Sequence, residues 1–318
     1  MTNGADSKRR GISGGSIGAA DIPLIDVRAV PLPRPVSPLV EAMRRLRRSA
    51  TALVGVAIVV ALVGVATFAD VLAPRSPTAS DQMHTFERPS WSYPLGTDQL
   101  GRDMLSRIIH GSRISLAVGV SSVLLALFVG VPVGLIAGYY GGRVDTGLMR
   151  LMDLILAFPI YLLAIILMVI FTPTAGLIGT MKVTGAIAIV RIPIYARLVR
   201  GSVLSIREKE YIEACRALGV RNPSILLGHI LPNCLAPIIV TTTLGIATSI
   251  IVEATLSFLG LGTQPPTPSW GWDLKANVAF IQTYPWLSLF PGLAIFVTVL
   301  GFNLFGDGLR DALDPRLK

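Results

Sequence analysis

Glu210-Tyr-Ile-Glu-Ala-Cys-Arg-Ala-Leu-Gly219 and, ten residues on, His229-Ile-Leu-Pro-Asn233 are polar islands between two long apolar runs. Ser205 and Glu208 fit an S-x-x-E capping box, so the spacing predicts a helix over Ser205 to Leu218. Gly219 supplies a left-handed stop after it, because glycine carries no Cβ penalty there. Asn222-Pro223 then restarts a helix with an N-cap and a proline at its first position. Pro232 is expected to limit its continuation. On the first helix Ile212, Cys215 and Leu218 share one side with Ala214 and Ala217. Arg207, Glu208, Glu210, Glu213 and Arg216 mark the other. Such a rod suits either a protein cleft or the surface of a bilayer.

The flanking runs decide the class. Of 318 residues, 52% are hydrophobic and 15% charged, too little charge for an ordinary soluble domain. About 20 apolar residues in a helix cross ~30 Å of hydrocarbon. Six stretches meet or approach that length: Ala50 to Ala69, Ile114 to Tyr139, Leu151 to Phe171, Val183 to Val199, Ala236 to Leu259 and Trp286 to Phe305. The fold class is therefore all-α, a polytopic membrane protein with six transmembrane helices. The net charge of +9 sits at the ends of apolar runs, which fits membrane topology and argues against a nucleic-acid partner. Cys215 and Cys234 form no CxxC pair, so neither a disulfide nor a metal framework is expected. No cleavage site follows the first run, which reads as a retained span.

Four divisions follow: a basic, flexible cytoplasmic tail at 1–49; a first span with its external loop at 50–113; a five-helix core at 114–306 carrying the polar loop at 201–233; and a C-terminal tail at 307–318. Arg44, Arg45, Arg47 and Arg48 directly before the first span keep that end in the cytoplasm. An even number of spans then places both termini there. Arg75, Arg88, Arg102, Arg107 and Arg113 fall on the expected outside, against the trend. Trp91, Trp270 and Trp272 lie in the outer loops. They read as an interfacial aromatic belt or as a docking surface stiffened by Pro265, Pro266 and Pro268. Gly14-Gly15-Ser16-Ile17-Gly18 matches G-x-S-x-G, but without a preceding strand it is a chance match.

Several membrane-level residues are candidates for packing or passage. Gly130, Gly134 and Gly138 recur every four residues, the pattern of close helix contact. Glu253 and Arg191 interrupt apolar runs at similar depth and are expected to pair or to share a wet cavity, as a pathway or gate. Thr242 and Ser257 belong to the most polar span and join them as pathway candidates. Asp153 is expected to pair locally with Arg150 or to touch the polar loop.

Glu213-Ala214-Cys215, Gly219 and Ile230-Leu231-Pro232 resemble the EAA loop of binding-protein-dependent ABC importer permeases. Glu253-Ala-Thr-Leu-Ser-Phe-Leu-Gly-Leu-Gly262, Pro265-Pro-Thr-Pro-Ser-Trp-Gly271, Gly306-Asp-Gly-Leu-Arg-Asp-Ala-Leu-Asp-Pro-Arg316 and Leu95-Gly-Thr-Asp-Gln-Leu-Gly-Arg-Asp-Met-Leu-Ser-Arg107 extend the likeness. They point to the dipeptide/oligopeptide subfamily and its "C"-type subunit. The departures are Cys215 for alanine, His229 for isoleucine, Arg191 and the long basic tail. The resemblance implies an ABC importer permease fold with a cytoplasmic coupling helix in the bacterial inner membrane. It also implies a homologous permease partner, two ATPase subunits and an extracytoplasmic peptide-binding protein. Tyr211, Glu213, Ala214, Cys215, Arg216, Ala217, Leu218 and Gly219 would face the ATPase.

No lysine follows a glycine, so no G-x-x-x-x-G-K-[ST] phosphate loop exists, and no H-E-x-x-H occurs. The chain is thus expected to hold no cofactor and to catalyse nothing, with ATP and magnesium on the partner ATPases. Nickel chelates or glutathione are alternative cargoes. A proton-coupled secondary transporter working through Glu253 is the alternative from another class. An intramembrane hydrolase lacks a nucleophile–base pair.

Overall fold

The computed structural model describes Arg44, Leu46, Arg47 and residues 49–313. The expected N-terminal tail thus lies mostly outside the described residues, as do 314–318. Helices are α1 (Ala50–Thr67), α2 (Ala69–Leu72), α3 (Met104–Tyr140), α4 (Gly142–Leu156), α5 (Ile160–Phe171), α6 (Gly176–Arg207), α7 (Glu210–Ala217), α8 (Asn222–Ile225), α9 (Leu231–Phe258), α10 (Trp270–Asn277) and α11 (Trp286–Leu313). Among the described residues only isolated bridges, and no strands, accompany them.

Five segments are long and apolar enough to cross a membrane: α1, α3, α6, α8 through α9, and α11. The expected third span, Leu151 to Phe171, is not one helix. It divides between α4 and α5, which meet at 87°. Pro159 is the physical reason: it lacks an N–H to extend α4 and instead stands at the N-cap of α5. The count reaches six only if that bent pair is one span.

α3 and α6 form the most extensive helix pair, with α9, α11 and α1 packed around them. Gly130, Gly134 and Gly138 make the α3–α6 approach possible. A Cβ on Gly134 would stand 2.4 Å from the Ala196 carbonyl oxygen and 2.8 Å from Val199 Cβ. On Gly130 it would meet the Ile192 carbonyl oxygen at 2.7 Å, and on Gly138 Val203 Cβ at 2.7 Å. Without side chains the two backbones gain van der Waals contact that lipid cannot replace.

The segment before α3 is held by polar contacts. Asp103 caps α3, accepting from the Ser106 N–H at 2.8 Å. The Arg75 guanidinium lies 3.9 Å over the Tyr93 ring and donates to the Ser92 carbonyl. Phe86 stacks on Tyr284, centroids 4.5 Å apart, joining this segment to the turn before α11. Of the five cations that strained the topology rule, Arg102 pairs with Asp98, Arg107 with Asp273 and Arg113 with Asp70. Three of the five charges are thus answered by a carboxylate within the fold.

Candidate functional site

The polar loop begins where α6 ends. Ser205 and Glu208 do not start a helix: α6 runs through Ser205 to Arg207, and the turn comes at Glu208 and Lys209. The single helix expected over Ser205 to Leu218 is therefore two, because Val203 and Ile206 bury in one cluster with Val199 and carry α6 on through Arg207. Packing overrides the local capping pattern there. α7 is the eight-residue remainder.

α7 ends in a Schellman closure. Gly219, at φ +75°, donates to the Arg216 carbonyl at 3.0 Å, and Val220 to that of Cys215 at 3.0 Å. The helix is seated by one side chain, Ile212, which is fully buried among Tyr139, Val203, Ile206, Ile225 and Ile230. Tyr211, Glu213, Ala214, Arg216, Ala217, Leu218 and Gly219 are exposed, while Cys215 is half-buried. Leu218 is 83% exposed, a large apolar group left uncovered among the described residues.

The base under α7 is cross-braced. Tyr139 donates to Asn222 Oδ1 at 2.8 Å, and Arg216 lies over the Tyr139 ring at 5.2 Å. Arg207 reaches from the end of α6 to the Gly138 carbonyl at 2.8 Å. Arg200 grips Asp145 of α4 through two bonds of 2.5 Å. Asp153 bonds Arg197 of α6 at 2.5 Å, which corrects the expected pairing with Arg150. After α8 one π-helical turn, Leu226–Ile230, leads into α9, so Pro232 sits in the first turn of a continuing helix and does not stop it.

At membrane level the expected Arg191–Glu253 pair does not form. Glu253 is fully buried and accepts from Ser257 at 2.7 Å and from Ser115 of α3 at 3.2 Å. Arg191 instead donates to Thr248. Thr248 and Glu253 are five positions apart, about 140° around a helix, so similar depth did not mean a shared face. Thr242 bonds back to the Ile238 carbonyl at 2.7 Å, and Ser257 belongs to the Glu253 clamp.

The outer tryptophans differ. Trp91 is fully exposed. Trp272 is half-buried, with Lys275 Nζ 4.7 Å over its ring. Trp270 is 1% exposed and is corrected from a docking candidate to a core residue. Its indole fits over Gly111 and donates to the Ile108 carbonyl at 2.9 Å. The unforeseen neighbour is the Arg107–Asp273 pair, which fastens α10 to α3. In the sequence Arg107 reads only as a topology signal, and nothing local marks Asp273 as its partner. Further along α3, the Arg113 guanidinium bonded to Asp70 holds that carboxyl below the usual carboxylate range.

Residues 130–318 match the family of binding-protein-dependent transport system inner membrane components. The chain belongs to that family. Residues 37–89 match the N-terminal transmembrane domain of oligopeptide transport permease C. The dipeptide transport system permease protein DppC of Alkalihalophilus pseudofirmus is 47% identical over 89% of this chain and 91% of its own length. The glutathione transport system permease protein GsiD of Pectobacterium atrosepticum is 45% identical, over 89% and 92%. A chain of the inward-facing MetNI methionine ABC transporter superposes with a TM-score of 0.53 at 20% identity. It covers 66% of this chain and 98% of that one, which speaks for the fold alone. The protein is thus an ABC importer permease, a multi-span component of the inner membrane, as the EAA-type loop anticipated.

Proposed function

We propose that this permease carries di- or oligopeptides into the cell, forming the pathway with a homologous permease and drawing its energy from two separate ATPase subunits. The observation that carries the coupling half is α7: a helix seated by Ile212 alone, with every other side but that of Cys215 open. A rod so placed, stopped by Gly219 and braced through Tyr139 and Arg207, transmits displacement without burying the surface that receives it. Tyr211, Glu213, Arg216 and Leu218 form the contact with the ATPase cleft. ATP and magnesium act there. The loop at 201–233 then faces the cytoplasm, with both termini, and an external peptide-binding protein docks near Trp91 and Trp272.

The cargo half rests on the dipeptide permeases at 47% and 43% identity. Glutathione is the second reading, supported by the relative at 45%. Reconstitution with partner permease, ATPases and binding protein tests both. ATP-dependent uptake of a dipeptide above that of glutathione is expected. Glutathione alone as cargo would reverse the choice. Uptake by the isolated chain under a pH gradient would overturn the ATP-driven reading.

A further inference from the structure

Arg191 stands in the middle of α6, fifteen residues after Gly176 and sixteen before Arg207. At ~1.5 Å per residue that is more than 20 Å from either helix end. It is 9% exposed, and Nη2 donates to the Thr248 hydroxyl, while Nε is buried with no partner. Arg102, Arg107, Arg113, Arg197, Arg200 and Arg207 each pair with a carboxylate. Among the described residues none pairs with Arg191. A buried mid-helix cation with no carboxylate beside it is a natural partner for an anion.

The guanidinium borders a cavity of 220 Å³ whose wall includes Ile160, Tyr161, Ile187, Thr248 and Val252. By this measure a water needs ~10–15 Å³ and a whole drug-sized ligand at least ~300 Å³. The space suits a chain end with one side chain. Its apolar wall takes that side chain, and the guanidinium edge not engaged by Thr248 takes a carboxylate. We infer that Arg191 and this cavity form a subsite of the translocation pathway that holds the carboxylate end of the transported peptide. The inference rests on the peptide reading above. A carboxylate of the partner permease is the other source of the same chemistry.

The complete reconstituted complex tests it with Ala-Ala and Ala-Ala-amide, each at a concentration that saturates the binding protein, so that delivery is equal. The wild type is expected to turn over the free acid about tenfold faster than the amide, the scale of one charge-assisted hydrogen bond. Arg191→Gln should bring the two within about twofold of each other, and Arg191→Lys should fall between. A wild type that does not discriminate, or an Arg191→Gln complex that slows both probes equally, overturns the subsite and points to a packing or partner-permease contact. A wild type that imports neither probe, yet imports another solute with ATP, overturns the peptide reading itself and this subsite with it.

Discussion

Arg107 and Asp273 are separated by 166 residues of chain, yet they form an ion pair in which each side chain is 1% exposed. Arg107 Nε donates to Asp273 Oδ1 at 2.7 Å, so the short helix α10 is fixed to the start of α3. Removing one partner of such a pair strands the other charge and costs about 3–5 kcal/mol. Asp273→Ala should therefore lower the thermal midpoint of the purified permease markedly. An Arg107→Met, Asp273→Leu double variant should recover most of the loss. Equal destabilisation by single and double variants would show that the pair's charge is not what matters.

Gly134 tests the α3–α6 approach. A Cβ there meets backbone and Val199 at under 3 Å, so Gly134→Val should cost about 1–3 kcal/mol through overpacking. Gly147 of α4 has nothing within 4 Å of its would-be Cβ, and Gly147→Ala should leave stability near wild type. Chemical unfolding in detergent ranks the two. A reversed order would refute the packing account.

Gly219 separates strain from bulk. No atom lies within 4 Å of its would-be Cβ, yet φ is +75°. Side-chain size is thus not the obstacle, and Gly219→Ala should already cost about 1–2 kcal/mol locally. Gly219→Asn, which tolerates this conformation, should cost less. The ratio of peptide imported to ATP hydrolysed should fall with Ala and Val and less with Asn. Equal ratios for all three would remove α7 from the coupling route.

Arg191 and Glu253 should behave independently. They share no contact, and their partners on α9 point away from each other. Transport losses in Arg191→Gln and Glu253→Gln should add within about 0.5 kcal/mol in a double-mutant cycle. A larger interaction energy would mean that the two approach each other in another state of the transporter.

Asp70 gives a pH signature. Its folded-state pKa is depressed, first by the hydrogen bond from Arg113, then by His110 and by charge. A depressed carboxyl contributes stability above its ordinary pKa near 4 and loses it as pH falls through the folded value. The thermal midpoint of wild type should exceed that of Asp70→Asn slightly at pH 6, and the gap should close on acidification below 4. A gap that widens in acid would contradict the sign.

What could be read from sequence had a local signature. The Gly130, Gly134 and Gly138 face is a period of four. The stop at Gly219 needed only a glycine after a run of helix formers. The break at Pro159 was missed because hydropathy averaged across Phe158 and Pro159 stays high although the backbone turns. Ser205 and Glu208 misled because a capping pattern says nothing about Val203 and Ile206, whose burial carries α6 onward. Depth matched Arg191 with Glu253, but azimuth decides partners, and depth alone leaves it open. Trp270 lay in a loop by every local measure. Only Gly111, far back in the chain, makes it a core residue.

The elbow at Pro159 leaves α5 with 12 residues, about 18 Å of rise against roughly 30 Å of hydrocarbon. α4, which carries Arg143, Asp145, Arg150 and Asp153, cannot extend that height straight through the acyl chains. Where this flank meets lipid, its apolar wall is shorter than the hydrocarbon it has to match. Fatty-acid length would then act at one edge of the perimeter, with a thickened bilayer pressing on the hinge between α4 and α5.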